Sequence, residues 1–244
     1  MFVTILQEGL YATVISPGAT DMPIILLLPL LLCGYLLGSL NSAVIVSRCL
    51  YHDDVRAHGS GNAGLTNMFR VYGKRAAAFT LLGDIFKAAL AVFLGGFFFG
   101  FYYAQSLAFG YMGYITGFAC VIGHIKPVFY HFRGGKGVLC TAVVVLILAP
   151  VVFAVLFLSF LLIVWLTRYI SLGSVVVAGL FPIAMQGYMQ TFLGQEKYDG
   201  ALVLLAICFT VVIVFCHRQN LVRLWNHKEN KFSFHRHHDG EEEK

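Results

Sequence analysis

Apolar residues run along this chain in long, near-continuous blocks, without the alternation of apolar and polar positions that a strand would show. Blocks at about 23–46, 77–103, 107–125, 171–193 and 200–216 each supply the roughly 20 residues a helix needs to cross a hydrocarbon core about 30 Å thick. Inside lipid only helices and closed barrels satisfy the backbone, and unbroken apolar runs select helices. A further block, 138–166, is 29 residues long and is interrupted by Pro150. As one helix it would measure about 43 Å, too long for a bilayer without strong tilt.

Basic residues settle how that block is read. Arg48, Arg56, Arg70, Lys74 and Arg75 follow the first block, which predicts a cytoplasmic loop and an N-terminus outside. Two further crossings return Arg133 and Lys136 to the cytoplasm. If 138–166 crossed once, Arg168 and the cations Arg218, Arg223, Lys228 and Lys231 would all lie outside. A turn at Pro150 brings them back to the cytoplasm. The sequence therefore predicts an all-α integral membrane protein of seven transmembrane helices over 23–232, with a cytoplasmic C-terminus. The limb 138–149 reaches only about 18 Å, so "FRGGKG" is expected to dip into the membrane before it. Residues 1–22 lack a basic region ahead of their apolar residues and read as an extramembrane extension, not a signal peptide. Residues 233–244, ending "HRHHDGEEEK", read as a polar, disordered cytoplasmic tail.

Composition agrees with the pattern: 59% of the 244 residues are hydrophobic and 12% charged, so a soluble domain is excluded. The net charge of +5 reads as the basic excess of cytoplasmic loops, with no nucleic-acid partner implied. Six cysteines are scattered in or beside apolar blocks with no pair at zinc spacing, so they read as small buried hydrophobes, and no metal site is expected.

The polar motifs all fall on the side predicted to be cytoplasmic. In "GSGNAGLTN", Gly59 and its neighbours allow close backbone approach, while Ser60, Asn62, Thr66 and Asn67 supply neutral donors and acceptors. Such a loop entering a helix can aim N–H groups at a phosphate, and Arg70 adds a planar fork suited to the same anion. The same residues also suit an ordinary capped turn. "RGGKG" couples Gly134 and Gly135 to Lys136 but lacks the spacing and the Ser/Thr of a nucleotide P-loop. "SLGS" ends at Ser174, and its hydroxyls suit a helix cap as well as a ligand. His217 and Asn220 share one helical face, His217 reading equally as an interfacial histidine. Asp84 and Lys87, also three apart, read as a structural pair inside a membrane helix. The residues alone thus imply a membrane-embedded pocket for a small phosphorylated ligand, in an enzyme or in a transporter or channel.

Taken together, "GSGNAGLTNMFR", "GHIKPVFYHFRGGKGV", "RYISLGS" and "HRQNLVRL" resemble the bacterial acyl-phosphate:glycerol-3-phosphate acyltransferases of the PlsY type, over about residues 29–232. The resemblance implies a seven-helix enzyme of the bacterial inner membrane with its active site at the cytoplasmic face. It implies transfer of an acyl group from acyl phosphate to the sn-1 hydroxyl of glycerol 3-phosphate. The products are lysophosphatidic acid and phosphate, in phospholipid synthesis. No cofactor is implied; a peripheral enzyme that makes acyl phosphate is an implied partner beside the lipid bilayer. Family active-site residues correspond to Ser60, Arg70, Lys136, Ser174, His217 and Asn220, with Gly59, Asn62, Thr66, Asn67, Gly134 and Gly135 as binding residues. The chain departs from the pattern in "GVLCT", where "GVAT" is usual, in Arg133, where lysine is common, and in its longer N-terminal extension. Acyl phosphate is already activated, so the site has only to hold two phosphorylated substrates together and neutralise their charge. The donor phosphate or His217 then takes the hydroxyl proton. A transporter would more often show inverted repeats and broken helices at the midplane, and no internal repeat is visible here.

Overall fold

The computed structural model describes residues 24–103, 106–193 and 200–232, and every regular element among them is helical. The expected extension over 1–22 and the tail over 233–244 lie outside the described residues. Among the described residues five stretches are long and apolar enough to cross a membrane: Leu27–Tyr51, Lys74–Phe98, Tyr111–Tyr130, Pro150–Thr167 and Ile170–Phe192. Gly200–Cys216 and Arg218–Trp225, bent by 57° to each other, count as a sixth when the pair is taken as one span. Val138–Leu148 is apolar but has only 11 residues, about 16 Å of helix.

The first apolar block, expected as one helix, is broken. Helix α1 (Ile24–Ser39) stops short, and α2 (Ser42–Tyr51) restarts after Asn41, whose side chain accepts from the Val44 N–H at 3.1 Å. Asparagine at that position caps a new helix start, which the apolar average over the block hides. After α3 (Leu65–Tyr72) come α4 (Lys74–Tyr103) and α5 (Ser106–Ile125). The chain breaks again at Ala149, between α6 (Val138–Leu148) and α7 (Pro150–Thr167). Pro150 stands at the first position of α7, where its missing N–H costs nothing. Helices α8 (Ile170–Tyr188), α9 (Gly200–Cys216) and α10 (Arg218–Trp225) follow among the described residues.

Helices α1, α4 and α5 pack as one group and α7, α8 and α9 as another, with α6 between them against α4, α5 and α7. Small residues hold the first group close. Gly34 and Gly38 set α1 against the backbone of α5 at Thr116 and Cys120, where a Cβ on Gly34 would stand 2.7 Å from the Thr116 carbonyl oxygen. Lipid gives little hydrophobic reason for helices to associate, so this backbone-to-backbone contact supplies the packing. Around α6 the core is continuous: Cys140, Val143, Val144 and Val145 are buried with Val92, Val121, Phe181 and Phe209. Helix α7 is the opposite case, with only Val152 buried and Leu158, Leu162, Trp165 and Leu166 exposed. A helix this apolar with one buried residue packs along one side on α8 and turns the rest of its surface to lipid.

Candidate active site

The loop before α3 folds around one side chain. Asn67 accepts from the Ser60 N–H at 3.0 Å and donates to the carbonyls of Val55 and His58 at 3.1 and 3.0 Å. Its amide is thus spent inside the loop, and it shapes the cradle from behind. Gly59 and Gly61 take positive φ, 58° and 69°, a backbone that suits glycine where the chain doubles back. Helix α3 then starts at Leu65; the Asn67 and Met68 N–H groups turn back to the Gly64 carbonyl at 3.1 and 3.0 Å, and those of Leu65 and Thr66 have no intrahelical acceptor. Gly64, Leu65 and Thr66 line the cavity at that point. An exposed helix start of this kind favours an anion.

Outside the cradle, Asp54 anchors the loop by accepting from Arg56 Nε and Nη2 at 2.9 and 2.7 Å and from Arg48 at 3.0 Å. Those bonds, the one from Arg56 foremost, hold its carboxyl far below the usual carboxylate range. Arg56 also donates to the carbonyls of Tyr130 and Arg133, at 2.9 and 3.1 Å, and so ties this loop to the Lys136 loop.

A single cavity of about 820 Å³ gathers residues from all four polar motifs. Gly59, Ser60, Asn62, Thr66, Asn67 and Arg70 line it, as do Lys136, Ser174, His217 and Asn220. Gly134 and Gly135, expected among the binding residues, do not line it. The Gly135 N–H is already donated to the His124 carbonyl at 3.0 Å. The serines of "SLGS" do not cap α8 either. Tyr169 holds the cap position without a side-chain bond, and the Ser174 hydroxyl donates to the Ile170 carbonyl at 2.9 Å.

The cationic end has a definite wiring. Lys136 donates its ammonium proton to Asn220 Oδ1, and Asn220 Nδ2 donates to Glu229 at 2.6 Å. Arg223 Nε donates to the other Glu229 oxygen at 2.8 Å. Burial lowers the Lys136 ammonium to about 8, with Glu229 opposing the fall and Arg223 adding to it. Burial pushes the Glu229 carboxyl up, but the Arg223 and Asn220 bonds outweigh it and hold it below its ordinary value. His217 is buried, and its Nδ1 lies 2.8 Å from the Ile213 carbonyl oxygen. A carbonyl can only accept, so Nδ1 carries the proton and Nε2 of the neutral ring is an acceptor.

The segment after α10 folds back against the start of α8 and the cavity wall. The Phe232 N–H donates to the Arg168 carbonyl at 2.7 Å, Lys231 lies over the Tyr169 ring, and Glu229, Asn230 and Phe232 line the cavity. Arg223, Glu229 and this strap belong to none of the site residues expected from the sequence. A lone acidic residue among Lys228, Lys231 and Arg223 was the available signal. The far end of the cavity is apolar: Val145 of α6, Phe153, Leu156 and Phe157 of α7, and Phe181 of α8. The Phe153 and Phe157 rings stack with centroids 5.4 Å apart.

Comparison with known proteins identifies a family. Residues 28–227 match the family described as glycerol-3-phosphate acyltransferase. A glycerol-3-phosphate acyltransferase of Syntrophomonas wolfei is 40% identical over 204 residues, covering 84% of this chain and 95% of the relative. One from Streptococcus thermophilus is 37% identical over 208 residues, covering 85% and 94%. Among solved structures, PlsY, described as an integral membrane glycerol 3-phosphate acyltransferase, is similar in its glycerol 3-phosphate form. It has a TM-score of 0.70 at 32% identity, over 84% of this chain and 95% of that one. Its lysophosphatidic acid form gives 0.68 at 30% identity, over 85% and 95%. With an all-helical multi-pass fold and a match that spans most of its length, the chain belongs to the glycerol-3-phosphate acyltransferase family.

Proposed function

We propose that this protein transfers a fatty acyl group from acyl phosphate to the sn-1 hydroxyl of glycerol 3-phosphate, releasing lysophosphatidic acid and inorganic phosphate. The observation that carries it is the two-ended cavity: Lys136, Arg70 and the α3 start at one end, and an apolar tube between α6, α7 and α8 at the other. One end suits phosphates and the other an acyl chain that enters from the bilayer.

The hydroxyl oxygen of glycerol 3-phosphate attacks the acyl carbon. An ester C–O bond forms, and the C–O bond of the mixed anhydride breaks with its electron pair going to the leaving phosphate. The hydroxyl proton passes to that phosphate. Lys136 and Arg70 neutralise the two phosphorylated groups, and Ser60, Asn62, Thr66 and the amides of the cradle complete the shell. Asn67 acts through the loop it holds. The Ser174 hydroxyl swings from Ile170 to donate to phosphate, and Gly134 and Gly135 let the Lys136 loop approach. His217 Nε2 and Asn220 orient glycerol 3-phosphate. A competing role for His217, as the base, follows from the same free Nε2.

In this reading the chain crosses the bacterial inner membrane seven times, with the N-terminus outside and the active site and C-terminus cytoplasmic. Four motifs converging on one cavity support it, since each loop must return to the same face. Cysteine labelling at Arg168 and His227 is expected to report the cytoplasm; labelling of either from outside defeats the topology. A peripheral enzyme supplying acyl phosphate would dock at that face.

The test is purified protein in lipid with palmitoyl phosphate and glycerol 3-phosphate. Lysophosphatidic acid and phosphate are expected in equal amounts. Glycerol 3-phosphate uptake into sealed vesicles with no acyl product would instead favour a transporter.

A further inference from the structure

Three buried ionisable side chains sit at the cavity wall, Asp84 and His124 within its lining and Lys87 behind them, and have no part in the chemistry above. Asp84, Lys87 and His124 are each under 5% exposed. Lys87 Nζ is 2.8 Å from Asp84 Oδ1 and 2.9 Å from His124 Nδ1. It also donates to the carbonyls of Gly38 and Leu40, at 3.3 and 3.2 Å. Those two carbonyls flank the break between α1 and α2, where the helix supplies no N–H partner. Buried in a membrane, each would otherwise be a costly unpaired acceptor. Asp84, His124 and Cys140 present possible ligand atoms within 4.8 Å of one another, but the Lys87 ammonium already lies against the first two. The cluster therefore carries its own cation.

From this cluster one arm reaches each phosphate-gripping loop. The break that Lys87 satisfies presents Asn41, whose Nδ2 donates to the Ala63 carbonyl at 3.3 Å, inside the glycine cradle. His124 takes the other loop: its carbonyl accepts from the Gly135 N–H at 3.0 Å, one residue before Lys136. Its ring Nε2 lies against the Gly135 Cα, leaving no room for a Cβ. A Cβ there would also stand 2.7 Å from the Ala63 carbonyl oxygen, so the two loops meet directly above His124.

We infer that Asp84, Lys87 and His124, acting through Asn41, Ala63 and Gly135, are positioning residues that set the gap between the two loops and hence between the acyl donor and glycerol 3-phosphate. The inference rests on the acyl-transfer reading. Arg70 stands beyond one loop and Lys136 on the other, so each keeps its own cation for a phosphate, and a change in the gap leaves binding largely intact and misaligns the reacting atoms. A misplacement of about 1 Å costs about 10²-fold in rate.

The experiment begins with the parent protein, whose failure to make lysophosphatidic acid would count against the functional reading alone. Three variants are then purified, their folded fraction measured, and kcat and both KM values determined per folded molecule. Asn41→Ser keeps an oxygen to cap α2 but is too short to reach Ala63. His124→Asn keeps an acceptor for Lys87 but removes the ring beneath Gly135. Asp84→Asn with Lys87→Met removes both charges together, which avoids a lone buried ion. Each is expected to lower kcat at least tenfold with both KM values within about threefold of the parent. Asn41→Ser combined with His124→Asn is expected to cost less than the sum of the two, as for members of one device. A purely structural role would change the yield and Tm and leave the kcat of folded molecules unchanged, and that result overturns the inference. Asn41→Ser removes one neutral hydrogen bond and decides the matter even where the charge variants fail to fold: parent-like kcat in it, or a loss confined to KM, is equally fatal.

Discussion

Lys136 and Phe153 line the same cavity and are held there by opposite means. Lys136 sits in a short loop whose partners, Asn220, Glu229 and Arg223, come from the other end of the chain. Phe153 sits on α7, a helix with one buried residue, and meets another ring of its own helix, Phe157. The polar end is over-determined by directional bonds, while the apolar end is set by shape against lipid. Direction is what a reacting phosphate demands, since misaligned charge loses rate. Shape is enough for an acyl chain, which offers only area, about 0.8 kcal/mol per methylene. The two ends should therefore fail differently, the first in turnover and the second in choice of chain.

The largest effect is expected at Lys136. Lys136→Ala should lower kcat with palmitoyl phosphate by at least about 10²-fold, the usual loss when a transition-state charge donor is removed. Lys136→Arg should recover little, because the guanidinium differs in size and shape. Palmitoyl-CoA and palmitoyl carrier protein have no phosphate on the acyl carbon and should give little product even with the parent. Comparable rates with the thioesters, followed as lysophosphatidic acid, would break the comparison at its polar end.

Next comes His217. If the donor phosphate accepts the proton, His217→Ala loses a hydrogen bond to a charged substrate, commonly about 1.5–3 kcal/mol. The KM for glycerol 3-phosphate should then rise more than kcat falls. A fall of about 10²–10⁴-fold in kcat with KM unchanged would make His217 the base instead.

A smaller effect is expected from pH. Lys136 is cationic below about 8 in the free protein and neutral above it. A site that needs the cation should lose kcat/KM as pH rises through that value, approaching tenfold per unit, since kcat/KM reports the free enzyme. The Lys136→Arg variant should lack this limb in whatever activity remains. A flat profile from pH 7 to about 9.5 would mean that the reaction does not use the Lys136 charge.

The smallest effect belongs to the apolar end. Val145→Phe fills part of the tube and should shift preference toward shorter donors. Two displaced methylenes cost roughly tenfold in kcat/KM, at about 0.8 kcal/mol each. The KM for glycerol 3-phosphate should not move. Competition between palmitoyl and dodecanoyl phosphate reads the shift directly, and unchanged preference would put the chain elsewhere.

How far the sequence reached follows the same division. Block length, cations and Pro150 made the apolar helices and the break before α7 legible, because these are local properties. The break at Asn41 was not legible, since a polar residue inside an apolar run declares itself only through the groups it meets. The i, i+3 spacing gave Asp84 and Lys87 as a pair, which the structure forms at 2.8 Å. Their third member, His124, belongs to another helix 37 residues on from Lys87, and no periodicity carries that contact. Ser60, Arg70, Lys136, Ser174, His217 and Asn220 come from four separate motifs and all line one cavity. Glu229 escaped because its role depends on a fold-back that brings it to Asn220 and Arg223.

The carbonyls that Lys87 satisfies lie 49 and 47 residues upstream of it, and that separation bears on biogenesis. The ribosome delivers α1 and α2 to the membrane before α4 exists, so the broken first span is inserted with two acceptors still lacking their donor. It should remain loosely held, or close into an unbroken helix, until α4 arrives. Nascent chains that lack Cys33 and Cys49, carry Ser42→Cys beside the Asn41 cap, and are stalled after Phe98, with α4 still inside the ribosome, should therefore react with thiol reagents, and chains stalled after Arg168 should be protected. Equal protection at both lengths would mean that the break is complete without Lys87. The order of synthesis would then place no constraint on how the first span assembles.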